Sequence, residues 1–341
     1  MIIDANMYWF DEDLFTDKVF SDRFLSEIEN TDDMFGYLKE EAGKSQYVIE
    51  KPRGFQSLNY IQGEYQLADQ LADMDEAGVD MSVLKLSCQQ EWLSLEMCKC
   101  FNDRMHHHVA DSNGRMIGLG VVPAVSDEMT YAEIDRCFDE LHFHGIQLST
   151  HYNGRYLDHE DFAGLFAYLN YRRATVYVHH SPIPADYEHI KEFNNLRRSY
   201  GRNVDQCTAV GRELFSDFFI RYPDVRMVHS MLGGGIFAYL GLLLPEKSAE
   251  NAGRFDDDSE LRRSFLRNNL YFEMSHAEPW GKQQLECAIK ALGSKHVIFG
   301  SSYPVKKKWL LNGPDFVRQL DISNEDKENV LYKNAMKLYM E

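Results

Sequence analysis

The chain has 341 residues, 44% of them hydrophobic and 26% charged, a balance that supplies a large core and fits an ordinary globular protein. Its 54 acidic and 36 basic residues leave a formal charge of −18, which argues against a nucleic-acid surface or an anionic membrane as partner, because both need a basic face. The six cysteines (Cys88, Cys98, Cys100, Cys137, Cys207, Cys287) show no C-x-x-C spacing, and the longest apolar run, residues 233–245, is too short and too glycine-rich to span a bilayer, so reduced thiols and a cytoplasmic location are expected.

In chain order, short β-branched or apolar runs alternate with longer stretches of helical periodicity, the pattern of βα units. The first strand is expected over residues 1–6. Residues 10–64, rich in Asp, Glu, Phe and Tyr, break the alternation and are expected to form an insertion of helices and loops over the mouth of the fold. A helix over 65–77 then stops at Gly78, and strands over 81–87, 115–122, 145–149 and 174–180 alternate with helices over 93–112, 131–142 and 161–171. A second insertion, 182–215, opens with Pro182 and Pro184, and strands over 225–230, 269–275 and 296–301 complete a set of eight. That count predicts a single-domain (β/α)8 TIM-type barrel. An open doubly wound sheet fits less well, because no glycine-rich phosphate turn follows the first strand.

In such a barrel the working groups lie at the C-terminal strand ends and in the loops after them. Those ends carry Asn6 and Tyr8, His151, His179 and His180, His229, Glu273 with His276, and Ser302 with Tyr303. A single imidazole there can simply brace a loop, but several strands ending in histidine point to a site. His106, His107 and His108 are consecutive on a helix, point around it, and read as a packed or solvated face. The aromatics at Trp9, Phe10, Phe15, Phe20, Phe24, Phe35 and Tyr37 suit either an aromatic-lined pocket or core packing.

Several stretches carry a resemblance: Leu71-Ala72-Asp73-Met74-Asp75-Glu76-Ala77-Gly78-Val79-Asp80; Gly145-Ile146-Gln147-Leu148-Ser149-Thr150 with Asn153-Gly154; Val176-Tyr177-Val178-His179; Val228-His229 leading to Gly233-Gly234-Gly235; and Phe299-Gly300-Ser301-Ser302-Tyr303-Pro304. Over nearly its whole length the chain resembles the decarboxylase branch of the amidohydrolase superfamily, the group of aminocarboxymuconate semialdehyde, resorcylate and 6-methylsalicylate type decarboxylases. The resemblance implies a metal site built from a His-x-His pair, a strand-five histidine and an aspartate after strand eight. Here the matching positions are Asn6, Tyr8, His179 and Ser302, so His179 alone survives. His229 matches the histidine that the resemblance places beside the metal.

An amide, a phenol, a hydroxyl and one imidazole are a poor donor set for zinc or manganese, so no metal cofactor is expected. The replacements nevertheless stay polar, which implies a persisting pocket. His179, His229 and Tyr8 are the expected acid–base groups, with Asn6, Arg53, His180, Glu273, His276, Ser302 and Tyr303 binding substrate; Arg53 is the candidate for a bidentate carboxylate contact. The expected activity is that of a metal-independent lyase or isomerase on a small cyclic, aromatic or carboxylated compound. The alternatives are a lactone or amide hydrolase, or an inactive subunit paired with an active relative, and a homodimer or such a heteromer is the expected assembly.

Overall fold

The computed structural model describes residues 1–29, 31, 34–86, 91–246, 253–255 and 258–341. Eight segments of parallel strand follow one another in chain order: Ile3–Tyr8, Met81–Lys85, Met116–Gly118 continued by Gly120–Val121, Ile146–Ser149, Thr175–His179, Arg226–His229, Leu270–Glu273 and Val297–Ile298. The expected end of the second strand, Ser87, lies outside the described residues, as does Cys88. Ladders join the first strand to the second and the second to the third, and a continuous parallel sheet runs from Gly120–Val121 to Val297–Ile298. Hydrogen bonds bridge both seams. Leu119 N–H donates to Leu84 O at 3.0 Å and Gly120 N–H to Gly145 O at 2.9 Å, while Ala5 N–H donates to Phe299 O at 2.9 Å and Tyr8 N–H to Tyr303 O at 2.7 Å.

These strands are nearly continuous apolar runs because both of their faces are covered. Ile3, Ala5, Val83, Leu119, Tyr177, Val228, Tyr271 and Ile298 form an inner cluster with Leu338 and Tyr339 of the last helix, Asn334–Tyr339. Met7, Leu84, Val178, Met227 and Phe272 belong to a separate outer cluster, packed with the helices. Strand residues therefore sort by parity, and the inner parity leads to the site. Among the described residues no helix is long and apolar enough to cross a membrane.

The segment 10–64 differs from the expected helices and loops. It holds one α-helix, Lys18–Glu29, but also a three-stranded antiparallel meander, Phe35–Glu41, Lys44–Glu50 and Gln56–Ile61. The hairpin turn is Ala42-Gly43, with φ of 54° and 77°, the positive pair that a two-residue turn needs to match strand twist. Alanine is an unusual first turn residue, so the turn was hard to read from composition. The aromatics of this segment pack mainly on one another. Phe10 stacks on Tyr60 at 4.0 Å between ring centres, and Phe24 and Tyr47 meet edge-on at 5.6 Å.

The segment 182–215 carries a short helix, Tyr187–Ile190, and the long helix Gly201–Phe215, which packs behind the sixth strand. Residues 231–235 all have positive φ there, two of them non-glycine. The run presses the backbone so close to the long helix that a Cβ on Gly234 would sit 1.7 Å from Asn203 O.

Candidate active site

A β-bulge builds the first wall. Register shifts between Asp4↔Ser82 and Met7↔Leu84, so Ala5 and Asn6 together oppose Val83. The extra residue keeps Asn6 and then Tyr8 on the inner side, alongside Ala5, while Met7 turns out with Leu84. The inner parity of the fifth strand carries Tyr177 and then His179, and that of the seventh carries Tyr271 and then Glu273.

The side chains so placed form one buried hydrogen-bonded chain. Asn6 Nδ2 donates to Glu273 Oε2 at 2.9 Å and to Ser302 Oγ at 3.1 Å; Tyr177 OH donates to the same Glu273 Oε2 at 2.7 Å. Ser302 Oγ lies 3.4 Å from Tyr8 OH, and Tyr8 OH lies 3.1 Å from His179 Nε2. His179 Nδ1 is 2.7 Å from the backbone carbonyl of His180. A carbonyl can only accept, so Nδ1 carries the proton, Nε2 presents its lone pair, and Tyr8 donates to it. Ser302 reaches this position through a left-handed backbone, φ 61°, with its N–H on Asn6 O at 2.7 Å. Asn6 Oδ1 is buried and has no hydrogen-bond partner among the described residues.

Two further predicted residues stand beside the chain. The His180 ring lies 4.1 Å from that of His179, and His276, at φ 58°, is 6.2 Å from His180. Burial holds all three imidazoles neutral: His179 and His180 lie well below the ordinary value and His276 at about 3, with Lys85 and Arg202 adding repulsion in each case. Burial also lifts the Glu273 carboxyl, and hydrogen bonds from Ser275, Tyr177 and Asn6 bring it back only to about 7.

The sign of the imidazole shifts gives a testable outcome. Histidines with depressed folded values release protons on folding, so their contribution is complete above the unfolded value near 6.5 and is lost as pH falls below it. Urea midpoints are expected to fall from pH 6.5 toward 4, as the unfolding free energy drops by at most about 1.4 kcal/mol per pH unit for each histidine. A flat midpoint across that range would contradict the burial of this cluster.

Three predicted residues are not brought to the cluster. His229 is adjacent to inner-facing Val228 and paired in register with outer-facing Val178, so it points away from His179. Its Nδ1 lies 2.9 Å from Gln206 Oε1 and its Nε2 2.8 Å from Glu213 Oε2, both on the helix Gly201–Phe215. The expected pairing of His229 with His179 is thus not found, because strand parity puts them on opposite faces. Arg53 is exposed in the turn before the third meander strand, with its guanidinium 4.3 Å over the Phe35 ring. Tyr303 is buried but turns its hydroxyl to Asp73 at 2.7 Å.

Other residues were missed. Lys85 ends the second strand, is fully buried, and sets its Nζ 4.1 Å over the Tyr8 ring and 4.6 Å over the Tyr177 ring. The signal was available, since a lysine inside the apolar run Ser82-Val83-Leu84-Lys85-Leu86 is out of place in a strand covered on both faces. A cavity of about 750 Å³ lies between the two insertions, lined by Lys51, Phe55, Glu91, His151, Tyr187 and Lys191 among others. Lys51 pairs with Glu91 at 3.2 Å, and Glu91 accepts from Ser149 Oγ at 3.2 Å; Ser149 is the register partner of His179, which ties the cavity to the cluster. Beside it His151 pairs with Asp205 at 3.1 Å; burial alone would depress this imidazole, but the carboxylate raises it overall.

A divalent metal fits this donor set poorly. The one imidazole at a ligand position has its lone pair satisfied by Tyr8, Asn6 turns its amide nitrogen toward Ser302 and Glu273, and a lysine sits against Tyr8.

The amidohydrolase family model matches residues 64–340. A 2-amino-3-carboxymuconate-6-semialdehyde decarboxylase of Dictyostelium discoideum is 24% identical over 255 residues, covering 71% of this chain and 66%, just under two thirds, of that protein. Among solved structures, a 5-carboxyvanillate decarboxylase from Sphingomonas paucimobilis superposes with a TM-score of 0.76 at 20% identity, covering 99% of this chain and 98% of that one. A dihydroxybenzoic acid decarboxylase from Polaromonas, solved with bound manganese and 2-nitroresorcinol, gives 0.68 at 18% identity and covers 99% of this chain and 96% of that one. These likenesses of structure are likenesses of fold.

Proposed function

The chain belongs to the amidohydrolase family, and from that premise we propose that it is a decarboxylase-type lyase on a (β/α)8 barrel, removing CO2 from a small cyclic carboxylate by acid–base chemistry of its own side chains. An aromatic carboxylate is the substrate class that the named activities of the resorcylate, carboxyvanillate and dihydroxybenzoate decarboxylases among its relatives support. The observation that carries the reading is the Tyr8 hydroxyl on the bare Nε2 of His179, with Nδ1 tied to a carbonyl. A phenol oriented in this way is a proton donor aimed from one fixed point.

In the proposed reaction the Tyr8 hydroxyl swings from His179 to the ring carbon that bears the carboxylate and gives it a proton. The bond from that carbon to the carboxylate carbon then breaks, its electron pair restores the ring, and CO2 leaves. Tyr8 regains its proton from solvent, and His179 returns the hydroxyl to its starting direction. Asn6 Oδ1, a buried acceptor, would hold a ring hydroxyl, and Lys51 at the cavity wall would meet the carboxylate in the role expected of Arg53.

The relative solved with manganese argues the other way, and the test must decide it. Enzyme stripped with chelator, its metal content checked by elemental analysis, is expected to release CO2 from at least one member of a panel of hydroxylated benzoates. Turnover that returns only in proportion to added Mn²⁺ would refute the metal-free reading.

A further inference from the structure

A charged side chain in a buried strand end needs a reason, and Lys85 has an unusual setting. Its Nζ is clamped between the faces of Tyr8 and Tyr177, at 4.1 and 4.6 Å from the ring centres. Those two tyrosines are the ones whose hydroxyls hold the reactive ends of the chain: Tyr8 on His179 and Tyr177 on Glu273. Tyr8 and Lys85 are register partners, so the side chains stand level on neighbouring strands. Lys85 also acts on groups all around this floor, opposing protonation of His179, His180 and His276 and favouring ionised Asp4 and Glu273.

We infer that Lys85 is the fixed cation of this site, a covalently attached positive charge that takes over the electrostatic task of a bound metal and closes the space around His179 to a second cation. The inference rests on the metal-free reading above and gives it a cause. Its Nζ lies against the faces of the Tyr8 and Tyr177 rings, so it acts through Tyr8 as a positioning residue. An ammonium on the ring face stabilises negative charge on the Tyr8 oxygen when the phenol gives up its proton. The same charge repels a divalent ion at His179, because like charges a few ångströms apart in a poorly solvated interior interact strongly.

The decisive comparison restores a ligand set with and without the lysine. The variant Asn6→His/Tyr8→His/Ser302→Asp and the same variant carrying Lys85→Met are titrated with Mn²⁺, free ion being read by electron paramagnetic resonance. Removing the lysine is expected to tighten Mn²⁺ binding by about a hundredfold, the scale of a close like-charge contact. Equal affinities, or absence of Mn²⁺ binding by both, would overturn the inference. A second measurement needs only wild-type protein: the Lys85 ¹⁵Nζ chemical shift, in lysine-labelled enzyme, is expected to be that of an ammonium from pH 6 to 9, and a neutral amine overturns the inference even if the multiple variants do not fold. Wild-type turnover that depends on added Mn²⁺ would instead defeat the proposed function, an outcome separate from the two variant affinities.

Discussion

Tyr8→Phe is expected to lower kcat by about 10²- to 10⁴-fold, the range that a positioned proton donor contributes, while the protein stays folded. The ring would keep its place against Lys85 and in the core, since only the hydroxyl is removed. What is lost is the one hydrogen bond from Tyr8 to His179 Nε2, at a cost of about 0.5–1.5 kcal/mol. Thermal melting would register that cost as a modest shift, whereas CO2 release would fall by orders of magnitude. A kcat within threefold of wild type would mean that the proton comes from elsewhere, with Glu273, held at about 7, the next candidate. Glu273 also predicts what a pH profile of the variant would show: its titration near neutrality persists when Tyr8 is replaced, because its partners are Asn6, Tyr177 and Ser275.

The alternation of strands and helices was legible because it is a matter of hydrophobic period, and each described parallel strand falls within or beside its expected range. The site was legible only in part. Residue type at a strand end is visible in a sequence, and Asn6, Tyr8, His179, Glu273 and Ser302 do meet in one hydrogen-bonded chain. The direction in which a residue faces is not visible when a bulge intervenes. One extra residue at Ala5-Asn6 decides that both Asn6 and Tyr8 look inward, and nothing in the composition of the first strand announces it. His229 is the converse case: its neighbour Val228 is the inward residue, and the apolar run around them offers no period to tell the two faces apart. Lys51 and Arg53 differ by two positions in a turn, and tertiary packing alone puts the first on the cavity wall and the second over Phe35.

His229→Leu is expected to separate these faces by experiment. The imidazole is fully buried between Gln206 and Glu213, and Glu213 is itself only 1% exposed. Removing the histidine leaves the Glu213 carboxyl without this partner in the interior, a loss of about 3–5 kcal/mol for a broken buried pair. Replacing both residues, His229→Leu with Glu213→Met, removes the stranded charge and should recover most of that stability, since apolar groups of similar volume often equal or exceed a buried pair. Denaturant titration of wild type, the single variant and the double variant reads the three values directly. Meanwhile kcat per folded molecule is expected to change less than threefold in the double variant, because this pair lies on the helix side of the sixth strand, across the sheet from His179. The opposite pattern, full stability with kcat down a hundredfold, would place the proton-transfer step on His229 and require the strand to present it to substrate.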